Sequence, residues 1–343
     1  MIFQQIILQI FHKLNQERTI SAPFHLLKGK RSGQTIQDVG IYQLHNFFGI
    51  LPKLSRNKYD EEITNLIDKQ IIKVNEEGYY ELLSNDIVMD QFGFDGWHYR
   101  GNEHIFFARL SLIIQSLSHK NAGMMSFIPI QKDEMIQHWV RNFLLTNNYQ
   151  EGNVHELLMK EMIHSLDNTN LDESIKNILI NRLSGYNVAG FTWQQLSHFE
   201  NKSEMDVQLL YIAGLHSWLN KIISEPDNYP LLNVVAQNVR INISLTGSAF
   251  QSAQLFLQGY SIEQISKMRG LKMSTIEDHI VELAMNEPHF SIEQFISPQD
   301  IQLVSTAIED YNTRKLKVLH EVLPHLSYFQ LRLALARGDR KCN

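Results

Sequence analysis

The tract from Ser261 to Met285 constrains the fold more than any other part of this 343-residue chain. Ser261-Ile-Glu-Gln264 has the spacing of a capping box, in which a serine oxygen and a glutamine side chain satisfy free amides at a helix start. Ile262, Ile265 and Met268 then recur on one face of a short helix. Arg269-Gly270-Leu271 makes a tight turn. Ser274-Thr-Ile-Glu277 has the spacing of a second capping box, opening a helix expected to bury Ile276, Ile280 and Leu283. Pro288 follows its expected end. Upstream, Ser248 to Gly259 reads as a helix stopped by a glycine able to turn left-handed. Two helices joined by a three-to-four-residue glycine-containing turn are the signature of a helix-turn-helix. The pattern continues downstream. Ser297-Pro298 caps a helix reaching about Asp310, and Leu316, Leu319 and Val322 line another. Ser327-Tyr-Phe-Gln330 opens a last helix containing Leu331, Leu333 and Leu335.

A sequence-reading helix-turn-helix presents Arg, Lys, Asn or Gln from its second helix to base edges in the major groove. Here that helix carries Glu277, Asp278 and Glu282, and no Lys or Arg between Ser274 and Met285. Cations occur only at its approach, at Lys267, Arg269 and Lys272, beside the hydroxyls of Ser274 and Thr275. Acids facing phosphate oppose binding that depends on neutralised phosphates. The charges therefore predict protein docking or weak, largely non-specific contact with the DNA backbone.

Charge is uneven along the chain. The overall net charge is −6, divided as +1 over 1–85, −6 over 86–245 and −1 over 246–343. From Lys28 to Lys58 there are six basic residues, Lys28, Lys30, Arg31, Lys53, Arg56 and Lys58, against one acid, Asp38. This is the strongest basic cluster in the chain. The same segment reads as a helix over Gln34–Phe48, with Ile36, Val39, Tyr42, Leu44 and Phe47 inward. A break follows at Pro52. A second helix, Arg56–Gln70, has Ile63, Leu66 and Ile67 inward. Ile71–Val74 and Tyr79–Leu83 flank Asn75-Glu-Glu-Gly78, a hairpin by composition and turn chemistry. Helix, helix and two-stranded wing make a winged-helix-like order, which serves DNA binding and protein docking alike. Gly29-Lys30-Arg31-Ser32 fails as a phosphate loop, because Phe24 stands where the first glycine is needed. A basic loop meeting nucleic-acid phosphates or solvent remains.

Between these ends, stretches around 102–118, 131–147, 154–166, 172–184 and 203–223 have helical apolar spacing. Gly185, Gly190, Pro226 and Pro230 punctuate them. Phe92-Gly-Phe-Asp-Gly-Trp-His-Tyr-Arg100 could stack unpaired bases, but buried aromatics sealing a helix junction are the commoner use of such a segment. Ile2, Ile6 and Ile10 recur among Gln4, Gln5 and Gln9, the pattern of an amphipathic first helix. With no basic residue before the apolar run, a signal peptide is not expected. No apolar run reaches the roughly 18 residues of a membrane span; the nearest, Ile105–Ile114, contains Arg109. The one cysteine, Cys342, excludes an internal disulfide and a cysteine zinc site, and fits a reducing cytoplasm. Among 15 histidines there is no HExxH pair, and there is no GxSxG elbow. No catalytic residue, cofactor or metal is expected. The chain is expected to be mainly α, with a winged-helix-like domain over 1–85, a helical domain over 86–245 and a helix-turn-helix domain over 246–343.

LFLQGYSIEQISKMRGLKMSTIEDHIVELA, followed by RKLKVLHEVLP and LSYFQLRLALAR, resembles the helix-turn-helix domain at the carboxy terminus of some bacterial RecQ-type helicases. FHLLKGKRSGQTIQD and the layout of the whole chain resemble the YpbB family of low-GC Gram-positive bacteria. The helicase motor is absent. The resemblance implies a cytoplasmic, non-enzymatic accessory protein in DNA repair or recombination, partnered with a RecQ-type DNA helicase and contacting DNA. A helix-turn-helix transcription regulator, with a homodimer on a discrete operator, is the alternative.

Overall fold

A computed structural model of the chain describes residues 1–83, 92–124, 126–241, 245–287 and 289–337. Pro288 and Cys342 lie outside the described residues. The chain is mainly helical, with one two-stranded antiparallel sheet among the described residues. It divides into two compact units, Met1–Ile6 with Met89–Ile241, and Ile7–Val88 with Asn242–Asn343. The first and last charge segments of the sequence thus share a unit, apart from the first six residues.

Helix α1 (Ile2–Leu14) is buried on more than one face. Ile6 and Ile10 are inward as expected, but Gln4 and Gln9 are buried too, so the helix is less amphipathic than its sequence predicts. Helix α2 (Ser21–Leu27) has only two turns and Pro23 in its first, too short for periodicity to reveal. Helix α3 (Gly33–Ile41) is capped by Ser32 and ends seven residues earlier than predicted. Gln43 turns left-handed, with φ of 53°, and a short 3-10 turn covers His45–Phe47. The five inward residues are nonetheless all buried, because the turn returns Leu44 and Phe47 to the same core. Helix α4 (Arg56–Asp68) buries Ile63 and Leu66 but leaves Ile67 40% exposed, against expectation.

Strands β1 (Ile72–Val74) and β2 (Tyr80–Leu82) pair Ile72 with Leu82 and Val74 with Tyr80. Asn75 Oδ1 accepts from the amides of Glu77 and Tyr79, and Gly78 takes a φ of 83° to close the predicted turn. Tyr80 fastens the hairpin to α1. Its ring lies 4.0 Å from that of Phe11 and its hydroxyl donates to the Phe11 carbonyl at 2.6 Å.

The other unit holds α5 (Gly96–Tyr99), α6 (Glu103–Asn121), α7 (Glu134–Thr146), α8 (Val154–Asp167), α9 (Glu173–Asn181), α10 (Trp193–Glu200), α11 (Glu204–Ser224) and α12 (Pro230–Val235). The five longer stretches expected from periodicity are all helices. Helix α10 was not expected, since it buries only Leu196; its signal is the capping box Thr192 to Gln195. Pro230 does not break a helix but opens one at N1. Trp218 anchors the core, its ring edge-on to Phe106 and its Nε1–H donating to Ser165 Oγ at 2.7 Å. Phe94, Trp97 and Tyr99 are buried, so the aromatic segment is packing.

The chain ends with α13 (Gly247–Leu257), α14 (Ile262–Arg269), α15 (Met273–Asn286), α16 (Pro298–Tyr311), α17 (Leu316–Val322) and α18 (Tyr328–Arg337). Helix α15 packs against α13, α14, α18 and α3. Among the described residues no helix is long and apolar enough to cross a membrane.

Gly29 sets the exit of α2 into the basic loop. Its φ is +69°, and an added Cβ would stand 2.9 Å from the Gly49 Cα. A side chain there combines left-handed strain, on the order of 1–3 kcal/mol, with a backbone clash. Gly33 has nothing within 4 Å of an added Cβ. Gly29→Ala should lower the free energy of unfolding by about 1–3 kcal/mol, and Gly33→Ala should change it by less than about 0.5 kcal/mol. Denaturant melts of the two variants check this; equal midpoints would contradict it.

Candidate nucleic-acid interface

The helix-turn-helix forms as its first capping box dictates. Ser261 Oγ accepts from the Gln264 amide and the Gln264 side chain accepts from the Ser261 amide. Gly270 closes α14 with a left-handed φ of 62°, and Ser266 Oγ donates to the Leu271 carbonyl at 2.6 Å across the turn. The second box does not form. Helix α15 starts at Met273 with Lys272 as its cap residue and no side-chain cap. The turn is short enough to place Ser274 inside the helix already. Met268 also departs from expectation, at 57% exposed.

The larger departure is the burial of α15. Ile276 and every residue from His279 to Met285 are buried. Its acids have partners inside the unit, although Asp278 keeps 39% of its side chain exposed and Glu277 27%. Arg332 on α18 pairs with Asp278 and lies 3.6 Å from Glu277. Gln37 on α3 donates to Asp278 at 2.9 Å. Glu282 accepts from the amide and hydroxyl of Thr246, fixing the start of α13. The most open part of α15 is its first turn, where Met273 and Ser274 are exposed and Thr275 half-buried, with Lys272 exposed just before it and Lys267 exposed on α14.

Arg269 has a structural engagement. Its guanidinium donates to Ser248 O, Ser248 Oγ, Gln251 Oε1 and Ser252 Oγ, tying α14 to α13. Because Arg269 can only donate, the Ser252 hydroxyl is free to donate onward to His279 Nδ1, 2.8 Å away.

The amino-terminal cations divide into groups. Lys28 and Arg56 both lie over the Phe24 ring, at 5.5 and 5.3 Å. His25 next to them is held below the usual imidazole range, first by burial and then by the charges of Lys30, Arg56 and Lys28. These three cations therefore share one field, which Asp60 offsets in part by pairing with Arg56 at 2.8 Å. Asp38 does not oppose the patch, since Arg18 holds it at 2.7 Å. Lys53 and Lys58 are exposed, and among the described residues no side-chain contact joins them to the group.

Arg31 goes elsewhere. It lines a cleft of about 370 Å³ with Gly33, Ser248, Thr275, Asp278 and His279. The loop after α2 and the first turns of α13 and α15 thus border one concavity, although these residues stand more than 200 positions apart in sequence. Sequence reasoning offered both sets of residues and no sign that they meet. No group of His, Cys, Asp or Glu among the described residues could hold a metal ion.

These features define a helix-turn-helix protein, and residues 248–335 match the family model described as "Helix-turn-helix domain". The whole chain is also similar to Protein YpbB of Bacillus subtilis (strain 168), with 30% identity over 98% of this chain and 97% of that protein. The chain belongs to the YpbB family. No solved structure matches it.

His279 sits beside Ser252 Oγ and the Arg269 guanidinium, an environment that disfavours its charged form. Burial, and then the Arg269 charge, depress the His279 pKa, while Asp278 pulls the other way. As pH falls below about 6.5, the unfolded chain binds the proton before the folded one does, so stability falls from there until pH passes the lower folded value. Thermal melts between pH 7.5 and 5.5 should show this loss. His279→Asn, which keeps an acceptor toward Ser252, should show a shallower one. Parallel curves for the two proteins would contradict the assignment of this loss to His279.

Proposed function

We propose that this protein is a non-enzymatic accessory factor of DNA metabolism, one that meets the DNA backbone through the rim of its helix-turn-helix and docks on a RecQ-type helicase. The observation that carries the DNA half is the shared cleft: Arg31 beside Ser248 and Thr275, its carboxylates Asp278 and Glu282 already taken by Arg332 and Thr246, with Lys272 exposed at the start of α15. Cations and hydroxyls at helix starts are phosphate ligands. A sequence-reading regulator is the poorer fit, since reading the major groove needs an accessible second helix and α15 is buried at Ile276 and from His279 to Met285, with Glu277 and Asp278 paired to Arg332. The DNA contact is therefore weak, salt-sensitive and indifferent to sequence.

The helicase half rests on the family resemblance and on a groove in the helical unit. It measures about 460 Å³ and is lined by Leu112, Met124, Phe127, Leu144 and Leu145, with Lys120 and Arg141 as its charged residues. Leu145 is 59% exposed and Met124 46%. An apolar groove edged by cations and lacking carboxylates suits an acidic amphipathic segment of the partner.

A salt series with the full chain and duplex DNA tests the first half. Affinity should fall steeply with salt, and changing Arg31, Lys267 and Lys272 together to Ala should reduce the slope by about 0.9 for each lost phosphate contact. An unchanged slope would overturn the assignment. Purified RecQ-type helicase should bind the full chain and lose affinity for an Arg141→Glu variant; no binding by the unaltered chain would overturn the partnership.

A further inference from the structure

A second cleft of about 370 Å³ lies in the unit formed by Ile7–Val88 and Asn242–Asn343, on the wing side of the basic loop. Its polar lining includes Arg18, His25, Lys30, Ser32 and Thr35, and Tyr79 forms part of its wall. Its two carboxylates are already engaged. Asp38 pairs with Arg18, and Glu17 accepts from Tyr42, from Thr313 and from the Arg314 amide. Lys30 is exposed and has no carboxylate partner among the described residues. Arg56 reaches the edge of the cleft, donating to Ser21 Oγ at 3.3 Å. The capped start of α3, at Ser32, adds free amides at the same edge.

Tyr79 is 41% exposed. Its backbone is fixed, since its amide donates to Asn75 Oδ1 and it bridges to Thr19. No other aromatic ring contacts it among the described residues. An unstacked phenol ring on a fixed backbone, sharing a cleft with the unopposed Lys30, is the pairing by which proteins hold unpaired nucleic acid: cations follow the backbone and an aromatic face takes a base. A base inside a duplex is stacked on both faces and is not available to such a ring.

We propose that this cleft takes one nucleotide of an unpaired DNA strand, with its phosphate at Lys30 and its base stacked on Tyr79. The inference rests on the DNA-contact reading above and adds a strand preference to it. It also separates two surfaces: the Arg31 cleft serves backbone contact of any kind, and the Tyr79 cleft serves single strands.

Anisotropy titrations of the full chain with labelled oligothymidylate and with a duplex of the same length test this. Tyr79→Ala should weaken oligothymidylate binding about tenfold or more, as loss of a stacked base does, and leave duplex binding within about twofold. Tyr79→Trp should retain oligothymidylate binding, which shows that the fold of the wing tolerates substitution. Equal losses on both DNA forms, or no loss on either, would overturn the inference while leaving DNA contact in place. If the unaltered chain binds neither form, the DNA-contact reading falls and the inference with it.

Discussion

The pairing of Arg332 with Asp278 and Glu277 decides what the helix-turn-helix can do. Arg332 keeps only 13% of its side chain exposed, and it brings α18 across the second helix of the motif. Gln37 adds α3 to the same carboxylate. Asp278 keeps 39% of its side chain exposed and Glu277 27%, so the pairing contributes on the order of 1 kcal/mol and matters more for where it holds α18 than for stability. The pair therefore acts as a specificity device. It gives Glu277 and Asp278 a partner within the unit and ties α18 to α15, as Gln37 ties α3.

This arrangement recasts the acidic second helix. In isolation its three carboxylates look like repulsion aimed at phosphate. In the folded unit they fasten α18, α3 and the start of α13. The accessible part of the motif is then a rim composed of the first turn of α15, the start of α13 and the loop at Arg31. A rim of this kind can hold a backbone, and it lacks the row of side chains that base readout needs. The helical unit has a different surface character, with apolar side chains open beside Lys120 and Arg141.

Local chemistry made much of this legible. Ser261 and Ser327 each open the helix that their spacing announces, because a capping box is complete within four residues, and Ser297 caps α16 by accepting from the Asp300 amide. The hairpin follows from Asn75 and Gly78 for the same reason. The errors arise where local signals compete. Ser274 offers an equally good box, but the turn closed by Gly270 starts α15 first. Gln43 ends α3 although the apolar period runs on. The meeting of Arg31 with Thr275, and of Arg332 with Asp278, had no local signal at all. Each joins elements tens to hundreds of residues apart, and a single sequence carries charge and period but not pairing.

Deuterium exchange of the full chain, with and without saturating duplex DNA, measures the central claim directly. The account predicts new protection at the loop carrying Lys28–Gly33 and at the first turns of α13 and α15, with exchange from Ile276 to Met285 unchanged. Slowed exchange along the whole of α15 would show that helix lying in a groove, and would contradict the account.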